Sequence, residues 1–316
     1  MYELSVDQFG PFERCTLQHT VYPQQIQFVP ERGGCLTSLR MEDHELLDAY
    51  KTPEEVEANS WSKSGLLYPF PNRLRDGTFE WEGKTYQFPL NDGDFNNALH
   101  GFGMERPLKI SESLLYDNRA IIRMTSQYDG SFPYYPWPFQ IELSYHMYAP
   151  DQFWVEIAVE NTGLKVIPMG VGWHPYFQMA DHASACELRL PPIHRVNVDE
   201  RLTPTGERES YDEFLYRKNI GDTILDNCFA LEEDHLEVSA RLSGAKGSIR
   251  YWQETGPQKF NYMQVFMPPY GTSIALEPMT CNIDAFNNGD GLTNLAPGET
   301  LRAKAGVQYF SLDSEF

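Results

Sequence analysis

Two ionisable side chains in this sequence each stand directly before a proline. His174 lies in Met169-Gly170-Val171-Gly172-Trp173-His174-Pro175-Tyr176-Phe177, and Glu277 lies in Ala275-Leu276-Glu277-Pro278. Proline drives the residue before it out of the helical region into extended backbone, so each group is held at a fixed angle on a short strand or strand end. Gly170 and Gly172 let the chain run close to a neighbour with no side chain in the way. An imidazole and a carboxylate fixed like this suit general acid–base chemistry, which needs each within about 2.6–3.2 Å of the proton it moves.

Three further polar clusters could serve the same chemistry. Arg73, in Tyr68-Pro69-Phe70-Pro71-Asn72-Arg73-Leu74, could donate several hydrogen bonds to hydroxyl oxygens, or be a surface arginine on a loop. His100, in Asn97-Ala98-Leu99-His100-Gly101-Phe102-Gly103, could face a cleft or be a satisfied structural histidine. Asp226, in Ile224-Leu225-Asp226-Asn227-Cys228-Phe229, needs a partner if buried; it could bind hydroxyls or cap a turn with Asn227. The acidic, glycine-rich run 284–291 invites a calcium-loop reading. Registered on Gly291, however, it places Phe286 at the first ligand position and Pro297 at the twelfth, so that pattern fails.

Other templates also fail. The sequence has no G-x-G-x-x-G after a strand, no phosphate-binding Walker loop, no G-x-S-x-G and no H-E-x-x-H. What remains is histidine, carboxylate and arginine in an aromatic-rich chain. That set suits a polyhydroxylated ligand, whose C–H patches pack on aromatic faces while its hydroxyls bond to charged groups. No metal is expected. The 25 basic against 45 acidic residues give a formal net charge of −20, a field that repels nucleic acid and anionic membrane alike. The N-terminus shows no basic region leading into an apolar run, and no window approaches the ~20 apolar residues of a membrane span. Five cysteines, widely spaced and without a C-x-x-C pair, favour a reducing cytoplasm over a disulfide framework.

The elements that must position these groups are strands. Residues 139–147 alternate apolar and polar, turn at Ala149-Pro150-Asp151-Gln152, and alternate again over 153–159, which predicts a hairpin with one buried face. Shorter runs at 25–28, 78–88 (broken at Glu82-Gly83), 120–125, 236–242, 248–252, 262–266 and 273–276 follow suit. Glycine or proline separates them at the spacing of an all-β sandwich. Helix is expected only over 42–50 and 53–59. With no linker and no repeat, residues 1–316 are expected to form a single domain.

Taken in order, the clusters resemble the aldose 1-epimerase (mutarotase) family. The matching stretches are Pro71-Asn72-Arg73-Leu74, residues 77–86, Leu99-His100-Gly101-Phe102 and Trp173-His174-Pro175-Tyr176-Phe177. They continue through Leu202-Thr203-Pro204-Thr205-Gly206-Glu207, Leu225-Asp226 with Phe229, Glu277-Pro278, Asp284-Ala285-Phe286-Asn287 and Leu295-Ala296-Pro297-Gly298-Glu299. The resemblance implies a large antiparallel β-sandwich of the galactose mutarotase-like type, with a sugar in an open cleft and no cofactor. It implies Glu277 as general base and His174 as general acid, with Arg73, His100, Asp226 and Asn72 binding substrate. The reaction implied is interconversion of the α and β anomers of a free hexose by ring opening and closure. Acid and base are expected on opposite sides of the sugar, across a gap one pyranose wide. A small aldose is the expected partner of a monomer or homodimer. A phosphosugar epimerase is the nearest alternative and would recruit Lys63, Arg75 or Lys84. A glycoside hydrolase using Asp226 with Glu277, and a non-catalytic sugar-binding module, are the others.

Overall fold

The computed structural model describes residues 1–232 and 235–314. Strands make up 52% of it, and every ladder between named strands is antiparallel. A five-stranded meander opens the chain: Tyr2–Phe9, Phe12–His19, Gln24–Val29, Cys35–Met41 and His44–Glu45. A nine-stranded sheet follows, in the order Lys109–Leu115, Arg119–Tyr128, Phe139–Tyr148, Gln152–Asn161, Thr300–Phe310, Gly247–Glu254, Glu237–Gly244, Glu187–Arg189 and Lys218–Asn219. An eight-stranded sheet runs Pro204–Ser210, Ile193–Val198, Asp226–Leu231, Tyr262–Phe266, Ile274–Met279, Gly172–His174 and Gly65–Leu67, with Tyr176–Phe177 also paired to Ile274–Met279.

The expected hairpin is present in full. Leu143 pairs with Ile157 and Tyr145 with Val155, so one face of both strands is a continuous apolar surface. Each such side chain contributes roughly 1.5–3 kcal/mol over leaving it exposed. That face meets the eight-stranded sheet: the Phe153 and Trp173 rings lie 6.2 Å apart, and those of Tyr251 and Phe177 6.3 Å. The nine-stranded sheet also meets the meander, where Phe28 packs edge-on against Tyr145 at 5.3 Å. One buried cluster runs through all three sheets.

The expected helix over 53–59 forms as Pro53–Ala58. Thr52 caps it through the Glu55 amide, Glu55 reaches back in return, and Asn59 closes it in the left-handed conformation. The expected helix over 42–50 does not form. His44–Glu45 is a strand, and Leu47 bridges Phe177. Leu46, Leu47, Ala49 and Tyr50 are all buried, and the chain there runs extended into the core. The Glu45 carboxylate accepts from the Leu39 and Leu47 amides, which completes an extended path. All five cysteines are free and buried, as small core residues are expected to be. Among the described residues no helix is long and apolar enough to cross a membrane.

Candidate active site

Strand alternation explains how the two pre-proline residues reach one place. On Gly172–His174 the Trp173 ring enters the core between the sheets, so His174 must point from the opposite face. On Ile274–Met279, Leu276 enters that core and Glu277 points away. Gly172 pairs with Met279, and Gln264 pairs with Glu277. That register sets His174, Glu277 and Gln264 in a row across three neighbouring strands. A Cβ on Gly172 would stand 3.0 Å from both the Pro278 carbonyl oxygen and Pro71, so the chain packs there more closely than a side chain ordinarily allows. Asp226 opens the next strand, and its carboxylate accepts from Gln264 Nε2 at 2.8 Å.

A two-stranded ladder, Arg73–Arg75 with Asn97–Leu99, forms another wall. Asn72 and His100 flank its end, both with left-handed backbone. The His100 amide donates to the Asn72 carbonyl at 2.8 Å, and the Asn72 amide donates to His100 Nδ1 at 3.1 Å. His100 Nδ1 is therefore an acceptor, and a neutral ring carries its proton on Nε2. Gly101, at φ 64°, carries the chain away against Tyr68 with no room for a Cβ. The acidic run at 284–291 supports this ladder: Asp284 accepts from the Arg75 amide at 2.9 Å and donates its own amide to the Arg73 carbonyl.

These residues line one cavity of about 410 Å³, together with Asp92, Tyr176, Phe266 and Trp61. All six candidate residues, Arg73, His100, Asp226, Asn72, His174 and Glu277, reach it. At its floor His174 Nε2 lies 3.4 Å from Glu277 Oε2, with the residues 5% and 1% exposed. The contact is close but misaligned: Glu277 Oε2 has no hydrogen-bond partner, and neither does buried His174 Nδ1. The expectation of two groups separated by the width of a pyranose is thus corrected, because they stand side by side. Neighbouring strands in register cannot hold a ring between them, and the two are residues of adjacent strands.

Burial dominates their ionisation. It lowers His174 to about 3 and pushes Glu277 well above the usual carboxylate range, with the Asp226 charge adding to the rise and Arg73 opposing it. Burial thus disfavours the charged form of both groups, the imidazolium of His174 and the carboxylate of Glu277. His100 is also driven well down, first by burial and then by His174 and Arg73. Asp226 is exposed to the cavity, yet the protein crowded around it raises its carboxyl against the pull of Arg73. Among the described residues, no three His, Cys, Asp or Glu side chains converge to hold a metal ion.

Sequence reasoning missed several of these residues. Asp92 accepts from Arg73 Nε at 2.8 Å, and Asn72 Oδ1 accepts from Arg73 NH1, so Arg73 is anchored by them and not by Glu277. Gln264 links Asn72 to Asp226. Tyr176 stacks on His174, with ring centroids 4.8 Å apart. Trp61 stands at the rim on a strained segment, where Asn59, Trp61, Ser62 and Ser64 all have positive φ. For residues other than glycine and asparagine that conformation costs roughly 1–2 kcal/mol each. Gln264, a lone polar residue in the apolar run Tyr262–Phe266, was the one legible signal.

The aldose 1-epimerase family profile matches residues 26–308. The chain belongs to the aldose 1-epimerase family. The uncharacterized Escherichia coli K12 protein YihR is 30% identical over 281 residues, 85% of each chain. A galactose mutarotase-like protein from Clostridium acetobutylicum superposes with TM-score 0.86 at 20% identity, covering 98% of this chain and 99% of its own. A galactose 1-epimerase from Lactobacillus acidophilus NCFM superposes at 0.83 and 15% identity, with 98% and 99% covered. The fold is therefore the galactose mutarotase-like β-sandwich, and the cavity of this family member lies on its eight-stranded sheet.

Proposed function

We propose that this protein is an aldose 1-epimerase that interconverts the α and β anomers of an uncharged aldose, with Glu277 and His174 as its acid–base pair. The observation that carries the reading is the cavity floor: two ionisable groups, both buried, 3.4 Å apart, each with an unpartnered polar atom. Buried polar atoms left without partners are costly, and a substrate that supplies hydroxyls relieves that cost. The ring oxygen and the anomeric hydroxyl are bonded to the same carbon. Two side-by-side groups can therefore address both, and no separation across the sugar is needed.

In the reaction, carboxylate Glu277 takes the proton of the C1 hydroxyl while imidazolium His174 gives one to the ring oxygen. The C1–O5 bond breaks as the C1 carbonyl forms. Rotation about C1–C2 presents the other face, the C5 hydroxyl adds to it, and both protons return. Midway, the pair is a carboxylic acid and a neutral imidazole, the direction in which burial pushes both groups. One proton moved between the two groups reaches the ion-paired form, and the nearby Arg73 charge favours its carboxylate. Arg73, Asn72, His100 and Asp226 bind the remaining hydroxyls, held in place by Asp92 and Gln264.

The charge around the cavity supports a free sugar over a phosphosugar. Lys63 is paired with Asp48 at 2.6 Å, Arg75 binds Asp199 and Thr203, Lys84 is exposed on a hairpin, and none of the three lines the cavity. Arg73 faces Asp92, Asp226, Glu105 and Glu277 there. Asp226 and Glu277 project from the same sheet face, two strands apart, with Gln264 between them bonded to Asp226. Five buried free thiols support a reducing, cytoplasmic setting. Polarimetry on free aldoses and their 6-phosphates tests the reading. Glu277→Gln and His174→Asn are each expected to lower the free-sugar rate by about 10²–10⁴-fold, the usual share of one acid or base. A near wild-type rate in either variant, or faster turnover of the phosphosugar, would overturn it.

A further inference from the structure

The cavity is lined beyond what one ring at its floor would use. An aromatic ladder climbs from the His174 imidazole to the surface. Tyr176 stacks on His174 at 4.8 Å, Phe266 meets Tyr176 edge-on at 6.3 Å, Trp61 stacks on Phe266 at 6.1 Å, and Tyr270 meets Trp61 edge-on at 5.7 Å. Tyr176 is buried and Phe266 half-buried, whereas Trp61 is 45% and Tyr270 38% exposed. Trp61 also lines a second cavity, of about 580 Å³, whose wall includes Asp48, Lys63 and Tyr270. Large aromatic faces left open to water beside a polar cavity are what a sugar ring stacks on, its C–H face on the ring and its hydroxyls toward polar neighbours.

Chemistry fixes which way a longer substrate must run. The anomeric carbon has to reach Glu277 at the floor with its hydroxyl free. Any glycosidic link is then made through another hydroxyl and leaves toward the mouth, where the ladder leads. Within that strained segment the neighbours of Trp61 serve the fold, Asn59 closing the helix and the Ser64 amide donating to the His174 carbonyl, whereas the Trp61 side chain itself is not part of the buried core and stands on the rim. We propose that Trp61 and Phe266 form a second subsite that stacks the next sugar ring, so that the site accepts the reducing end of an oligosaccharide as well as a free hexose. Asp48, Lys63 and Tyr270, joined by hydrogen bonds of 2.6 and 2.9 Å, supply polar contacts beyond that ring. This rests on the reading of Glu277 and His174 as the epimerase pair.

The test compares kcat/KM, by polarimetry, on the free hexose turned over fastest and on the 4-linked and 6-linked disaccharides that carry this hexose at the reducing end. At least one disaccharide is expected to match or exceed the hexose. Trp61→Ala is expected to lower the disaccharide-to-hexose ratio at least fivefold, and Trp61→Phe to restore it to within twofold of wild type. Phe266→Leu, on regular strand backbone, gives the same readout should the rim segment not tolerate alanine. Hexose turnover with both disaccharides below a tenth of its kcat/KM, or with a ratio that neither Trp61→Ala nor Phe266→Leu moves, would overturn the subsite alone. Absence of turnover on every free aldose would instead overturn the epimerase reading beneath it.

Discussion

The nine-stranded and eight-stranded sheets are built by the same rule and used differently. In the larger sheet, strands of up to 11 residues alternate cleanly between a core face and an outer face of charged pairs. The smaller sheet is made of pieces two to seven residues long, and Ile274–Met279 is buried along its whole length. A strand buried on both faces has no solvent side, so its polar residues must be satisfied within the protein or by a ligand. That is where Glu277 and Gln264 sit. The large sheet supplies stability and the small one spends some of it on a site.

The sharpest way to break this division is a crossed pair of substitutions. Leu143→Ala, in the core face of the nine-stranded sheet, is expected to cost about 2–5 kcal/mol in urea unfolding and to leave the rate per folded molecule near wild type. Gln264→Leu keeps the volume of the small sheet but unties Asn72 from Asp226. Its rate is expected to fall on the order of 10²-fold, the scale set by misplacing a binding group by about 1 Å. If the Leu143 variant lost the same activity, or the Gln264 variant none, the two sheets would not divide the work as described.

The same contrast decides what the sequence could tell. Residues 139–159 announce a hairpin because period two survives wherever one face is wet. His174 and Glu277 were legible through their prolines, a local signal that owes nothing to the fold. Asp92 was not, because within Asn91-Asp92-Gly93-Asp94 it reads as one more turn carboxylate, and only the folded chain brings it to Arg73. Residues 42–50 misread as helix because exposed Glu42 and Asp43 followed by the buried pairs Leu46-Leu47 and Ala49-Tyr50 show no period-two alternation that would have marked an extended path. The side-by-side placement of acid and base was equally out of reach, since it depends on the register of Gly172 against Met279.

A smaller effect separates the two floor residues by pH. The folded pKa of His174, about 3, lies below the ordinary 6.5, so its contribution to stability is complete above pH 6.5 and is lost as pH falls toward 3. Glu277 has the opposite sign. Its folded pKa lies above the ordinary 4.5, so its contribution is complete below that pH and is lost as pH rises through the raised value. Each slope is bounded by about 1.4 kcal/mol per pH unit. In urea midpoints across pH 4 to 8, His174→Asn is expected to flatten the acid limb and Glu277→Gln the alkaline limb. Identical curves for the two variants would place the buried charge elsewhere.

The smallest expected effect lies on the outer face of the nine-stranded sheet. Arg250 and Glu237 pair there with side chains 40% and 39% exposed. Water screens the attraction, and ordering two long side chains offsets much of what is left, so exposed pairs of this kind contribute about 0–1 kcal/mol. Arg250→Ala is therefore expected to move the urea midpoint by no more than that and to leave the epimerisation rate alone, with the shift shrinking further in high salt. A loss above about 2 kcal/mol would mean that Arg250 stabilises the sheet through its aliphatic stem as well as its charge. The outer face would then carry packing energy, and the contrast between a sheet that only supports and a sheet that reacts would have to be redrawn with three faces in place of two.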